Sequence, residues 1–176
     1  MAIVFPEGTQ NYPGNTVRGS EHALNTNSAV TWTGIPNFVQ KIIISWEMMS
    51  HNSTARIFLR LGDSSGNYKT SGYEGTSQHV NQSGGAGGRR ETTAFEIYGG
   101  TAASYYNHGH GILTLRDDGQ SDSWVWSYMS GQYNSEHVSH GGGYVNLTAG
   151  YYLDRIQLAP SAGSFDSGYA TLQYQF

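Results

Sequence analysis

Apolar positions in this chain recur with a period of two. The clearest stretch runs from Phe38 to Met49, where Ile42, Ile44, Trp46 and Met48 fall on one face. Lys41, Ser45 and Glu47 share the other face with Val39, Ile43 and Met49. β-Branched and aromatic side chains at this spacing favour a strand, because they pack on a pleated, half-buried surface. At ~3.3 Å per residue the run is about 40 Å long, enough to cross a whole sheet. A second run follows, with Ala55, Ile57, Leu59 and Leu61 alternating against Thr54, Arg56, Phe58 and Arg60. The short polar residues Ser50–Ser53 between them are turn chemistry, so the pattern predicts a central β-hairpin.

Shorter strands are expected over Ser28–Thr33, Thr93–Tyr98, Gly111–Arg116, Ser123–Tyr128, Tyr144–Leu147, Tyr152–Leu158 and Ser167–Phe176, and a short irregular one over Tyr68–Tyr73. Asp118 and Gly119 between two β-type runs signal a hairpin, since both tolerate positive φ. Ser77–Glu91 carries Gly84, Gly85, Gly87 and Gly88 and reads as the most flexible loop. The pattern contains no amphipathic helix of three turns and no solenoid repeat. The expected fold is all-β: an antiparallel two-sheet jelly-roll or lectin-like sandwich of ~10 strands. Its core should hold Ile42, Ile44, Trp46, Ile57, Leu59, Phe95, Leu113, Leu153, Ile156 and Leu172.

Two regions follow from local composition. Residues 1–27 are dense in Pro, Gly and Asn and read as an N-terminal arm; residues 28–176 form the sandwich domain. The arm is either a partly ordered terminus or a segment that docks on a neighbour through Phe5, Tyr12 and Pro13, since large apolar groups gain by leaving water.

Bulk composition narrows the function. Of 176 residues 24 are Gly, 13% are aromatic and 12% charged, which suits a sandwich with many tight turns and neither a disordered nor a helical chain. A net charge of −4 with Lys41 and Lys69 as the two lysines gives no footprint for nucleic acid or anionic membranes. The chain lacks cysteine, which removes disulfide and thiolate chemistry. The opening residues have no basic segment or long apolar core, so no secretory signal is expected, and no run approaches the ~20 apolar residues of a membrane helix.

Three constellations could carry chemistry. His108 with His110, and His137 with His140, could hold a divalent metal, or they are solvated loop histidines; without a further ligand at metal spacing the second reading is favoured and no cofactor is expected. Asp117, Asp118 and Asp122 crowd one loop but do not match a calcium-loop spacing. Glu47 is the acidic residue set within an apolar stretch, and nothing in the sequence identifies the second carboxylate that glycoside cleavage needs. Gly62–Asn67 reads as a turn, and no phosphate loop occurs, so no catalytic residue is assigned. Trp124, Trp126 and Tyr128 alternate on one strand face. They are either core or a stacking platform for sugar rings, and Tyr105, Tyr106, Tyr151 and Tyr152 are ambiguous in the same way.

The order of several stretches carries the reading further. Ser28–Pro36, Leu59–Asp63, Thr70–Tyr73, Gly109–Leu115, Trp124–Ser127, Tyr152–Leu158 and Phe165–Tyr174 together resemble a β-domain of tailed-bacteriophage structural proteins. The opening Phe5–Pro13 is similar to the heads of small phage virion proteins, cyanophage ones included. The resemblance covers about residues 28–176 and 1–14. It implies a non-enzymatic virion component: a tail-associated fibre or host-attachment adhesin anchored by its arm, or alternatively a capsid decoration (cement) protein. The implied partners are other virion proteins, further copies of the chain in a homo-oligomer (a trimer by analogy with fibres) and host-surface glycan reached through loops 99–110 and 129–143. A polysaccharide-degrading enzyme is a third reading. Asp154 and Asp166 match recurring positions and are expected to be structural.

Overall fold

The computed structural model describes residues 16–97, 103, 105–117, 122–133, 137–148 and 150–176. Among them are twelve strands and no helix: β1 Thr16–Ala23, β2 Val30–Thr33, β3 Lys41–His51, β4 Ile57–Asp63, β5 Tyr73–Asn81, β6 Ala86–Glu91, β7 Phe95–Ile97, β8 Asn107–Asp117, β9 Asp122–Gln132, β10 His137–Asn146, β11 Leu153–Pro160 and β12 Phe165–Gln175. They form two antiparallel sheets, an eight-stranded one in the order β1-β12-β3-β8-β9-β10-β5-β6 and a four-stranded one in the order β2-β11-β4-β7. The result is a β-sandwich with one broad layer and one narrow layer.

The narrow sheet lies across the inner face of the broad one. Over β1, the Trp32 indole donates to the Ser20 carbonyl at 2.9 Å and its ring meets His22 edge-on. At the other end Phe95 of β7 stacks on Trp126 and meets Tyr73 edge-on. Every residue named above for the core is buried in one cluster between the layers. Buried aliphatic and aromatic area of this kind is the main favourable term in folding, at about 25 cal/mol per Å².

Several expectations are corrected. Strands β3 and β4 do not form a hairpin: β3 pairs with β12 and β8, while β4 pairs with β11 and β7. Six of the seven β4 residues are buried, so β4 needs cover on both faces and sits inside the narrow sheet. The turn-like Ser50–Ser53 instead begins a crossing from one layer to the other. Asn52 fixes it by exchanging backbone and side-chain hydrogen bonds with Ser164.

The Ser77–Glu91 segment is an edge hairpin, β5–β6. Its glycines flatten the strand, and the Asn81 side chain accepts from the Ser83 and Gly85 amides to close the turn. Within 129–143, residues 129–132 belong to β9 and residues 137–143 to β10. The region expected as an arm divides: residues 16–23 are an edge strand on β12, and residues 1–15, with Phe5, Tyr12 and Pro13, lie outside the described residues.

Candidate functional site

Alternation along the broad sheet fixes which side chains leave the sandwich. The outward rows carry Thr171 and Tyr169 of β12, Ser45 and Glu47 of β3, His110 of β8, Met129 of β9 and His140 of β10, with Arg18 and Glu21 of β1 at one end. Nothing among the described residues covers this face.

One place on it is shaped. An open depression of about 310 Å³ is lined by Arg18, Glu21, Ser45, Trp46, Glu47, Tyr169 and Thr171. Its floor is low because Ser45 and Thr171 are direct cross-strand neighbours with short side chains. The β1 wall is an ion pair, Arg18 Nη2 to Glu21 Oε2 at 2.7 Å. The far wall is Glu47 with Tyr169, cross-strand partners whose side chains are exposed.

A bulge builds that wall. Pairing of β3 with β8 shifts register between Trp46 and Met49, and Met48 adopts φ 52°. A left-handed conformation costs a non-glycine residue about 1–2 kcal/mol, and such outliers collect where geometry serves function. One extra residue on β3 lets Glu47 and Met48 both face outward while Met49 turns in and is fully buried. The strict alternation that put Met48 with Trp46 therefore breaks at this point. Opposite the bulge stands Gly168 at φ 103°, where a Cβ would lie 2.5 Å from the carbonyl oxygens of Glu47 and Met48.

The aromatic positions singled out from the sequence go elsewhere. Trp124, Trp126 and Tyr128 are 2%, 2% and 6% exposed, which removes them as a sugar platform. They point inward because Gly111 and Gly141 leave room: a Cβ at Gly111 would stand 1.9 Å from the Trp126 ring and one at Gly141 2.6 Å from the Tyr128 ring, and Trp126 stacks on both Phe95 and Tyr128. Tyr105 and Tyr106 are half-buried at the entrance to β8, where the Tyr106 carbonyl accepts from the Tyr133 amide.

The histidines do not assemble either. His108 and His110 share the outward face of β8, and His140 is outward on β10, but His137 turns inward and meets His79 edge-on at 5.4 Å. Burial lowers the His79 pKa, and His137 and Arg89 push it down further. No group of three metal-ligating side chains occurs among the described residues.

A second charged cluster lies away from the depression, where Arg56 reaches Glu91 at 2.9 Å and Glu96 at 3.5 Å. Burial raises the Glu96 pKa and Arg56 only partly opposes it. Burial also pushes Glu91 upward, but hydrogen bonds from Thr93 and Thr92 and the charge of Arg56 outweigh it and leave that carboxyl below its ordinary value. These groups anchor the β6–β7 connection to the narrow sheet, and Asp154 similarly holds the neighbouring Arg155 guanidinium at 2.7 Å.

Sequence reasoning had isolated Glu47 but missed Tyr169, Arg18 and Glu21, which reach it only through sheet pairing. The available signal was Gly168 beside Tyr169 in an otherwise regular closing strand, since an interior strand glycine often marks a bulge. In comparisons with known proteins, no family model matches this chain and no curated protein matches it.

Proposed function

We propose that this chain is a non-enzymatic structural component of a tailed-phage particle, a tail-associated fibre or adhesin module that works by being held and by holding. Beside the resemblance carried by the sequence, one observation supports this reading. The outward face of the broad sheet presents an apolar band that runs diagonally: Val125 opposite Tyr144, half-buried Ile112 in the next row beside Ser127, Met129 in the row after, and Val138 opposite Val80 beyond it. All of these apolar residues but Ile112 are 42–57% exposed. Scattered exposed apolar residues are ordinary, whereas contiguous ones mark contact surfaces. Gly142 and Gly131 keep the band flat, and the Glu74–Arg90 ion pair borders it, so its charges are self-satisfied. A flat, neutral apolar face suits a further copy of the same chain, and a closed trimer is the arrangement fibre symmetry favours. Residues 1–15 would tie the module to the particle through Phe5, Tyr12 and Pro13.

The alternation of successive strands β1 to β5 between the two layers supports a jelly-roll or lectin-like affiliation. A capsid decoration protein of the same fold is the second reading, and the band serves it equally. A polysaccharide-degrading enzyme is less well supported. Glu21 and Glu47 do line one depression, but a carboxyl that protonates a leaving group works from an apolar, water-poor setting, and both of these are exposed. Gold-labelled antibody on intact particles of the encoding phage tests the proposal. Label on the tail is expected, label on capsomers would transfer it to decoration, and unlabelled particles would sink it.

A further inference from the structure

The geometry points to the depression between β1, β12 and β3 as a subsite for one neutral pyranose ring, which makes the outward face a sugar reader as well as a contact surface. This assignment rests on the non-enzymatic contact reading above and adds a ligand class and a role for each residue. A sugar ring offers an apolar C–H face and a rim of hydroxyls. Tyr169, 50% exposed on the wall, supplies a flat ring for the first. Glu47 supplies two acceptor oxygens for a pair of hydroxyl protons, and Arg18 with Glu21 supplies a donor and an acceptor already held 2.7 Å apart. The hydroxyls of Ser45 and Thr171 meet the ring from below.

Size and charge decide among other ligands. A volume near 310 Å³ stands at the small end of ligand pockets and suits a single ring. Two carboxylates against one guanidinium, itself paired to Glu21, disfavour phosphate and acidic sugars. A cation would compete with Arg18 for Glu21, and no third ligating side chain joins the two carboxylates. The wall is held in advance of any ligand: the Met48 conformation and the Gly168 contact fix Glu47 and Tyr169 without help from loops. Pre-organisation of this kind is what lets a shallow site bind at all.

The experiment is saturation-transfer NMR on the full chain. The probes are methyl glycosides of glucose, galactose, mannose and N-acetylglucosamine, with N-acetylneuraminic acid as the anionic probe. At least one neutral glycoside should saturate with a dissociation constant on the order of millimolar, as expected for a dozen or so non-hydrogen atoms. Tyr169→Ala should weaken it about tenfold or more, and Glu47→Gln by about tenfold, while Tyr169→Phe, which keeps the ring face, should stay within about threefold. Unchanged far-ultraviolet circular dichroism and Trp fluorescence would show each variant folded. No transfer to any neutral glycoside at about 20 mM, indifference to Tyr169→Ala, or preference for the anionic probe would overturn the subsite. Labelled particles without sugar binding would remove this inference and leave the virion reading standing. A sugar oligomer bound and then shortened by the wild type would do the reverse to the non-enzymatic reading.

Discussion

Replacing Gly168 by alanine tests whether the bulge at Glu47–Met48 is clamped as described. The new Cβ would stand 2.5 Å from two backbone oxygens, at a φ of 103° that L-residues rarely adopt. The conformation alone costs about 1–2 kcal/mol, and forcing atoms into a filled position about 1–3 kcal/mol more. Gly34→Ala separates the two terms, because Gly34 has φ 71° but nothing within 4 Å of its would-be Cβ. Urea unfolding should show Gly34→Ala losing about 1 kcal/mol and Gly168→Ala about 3 kcal/mol. For a chain of this length the second corresponds to about 6–12 °C in thermal midpoint. The variant should also lose sugar binding, since relief of the clash moves Glu47 and Tyr169 together. If both alanine variants fall within about 0.5 kcal/mol of each other, the close approach is not a constraint, and the origin assigned to the depression is wrong.

Other consequences are independent of that site. Trp126→Ala should cost about 3–5 kcal/mol in urea unfolding, because it empties the space between Phe95 and Tyr128. Tyr73→Phe should cost about 1–2 kcal/mol by the same measurement, since it orphans the buried Leu61 amide that now donates to the Tyr73 hydroxyl at 2.9 Å. Glu96 binds its proton more tightly folded than unfolded, so its contribution to stability falls as pH rises from about 4.5 through its folded pKa. Glu96→Gln should therefore flatten the pH profile of the melting temperature across that window and gain on the wild type towards neutral pH. Arg56→Ala should steepen the fall, because Arg56 is the counter-charge shared by Glu96 and Glu91.

The fold class was legible because period-two alternation states directly which residues share a face. That rule identified the core residues in β3, β4, β8 and β12, whereas Leu153 and Ile156 of β11, three positions apart, share the core through the register shift between Leu153 and Arg155. It failed where pairing, not alternation, decides. Nothing local distinguishes Ser50–Ser53 as a crossing between layers from a hairpin turn; the difference lies in which neighbours β4 finds. Gly84 to Gly88 look flexible in isolation, yet Gly87 and Gly88 are ordered as a strand by the ladder to β5, and Gly84 and Gly85 form the turn that Asn81 closes. The aromatic run Trp124, Trp126 and Tyr128 was readable as a face but not as inner or outer. That choice depends on Gly111 and Gly141 on the strands either side of it, which only the register brings together. The depression shares this origin: its residues come from β1, β3 and β12, and β12 lies more than a hundred positions along the chain from the other two.

The central claim is that the outward face of the broad sheet is the gripped surface, and the two lysines report on it directly. Lys41 lies on that face beside Gln175 and Thr114, whereas Lys69 bonds to Leu61 at the border of the narrow sheet. Amine-reactive footprinting by mass spectrometry, comparing free protein with protein assembled in particles, should find Lys41 protected several-fold and Lys69 unchanged. Protection of Lys69 with Lys41 left reactive would contradict the account and move the contact surface to the other side of the sandwich.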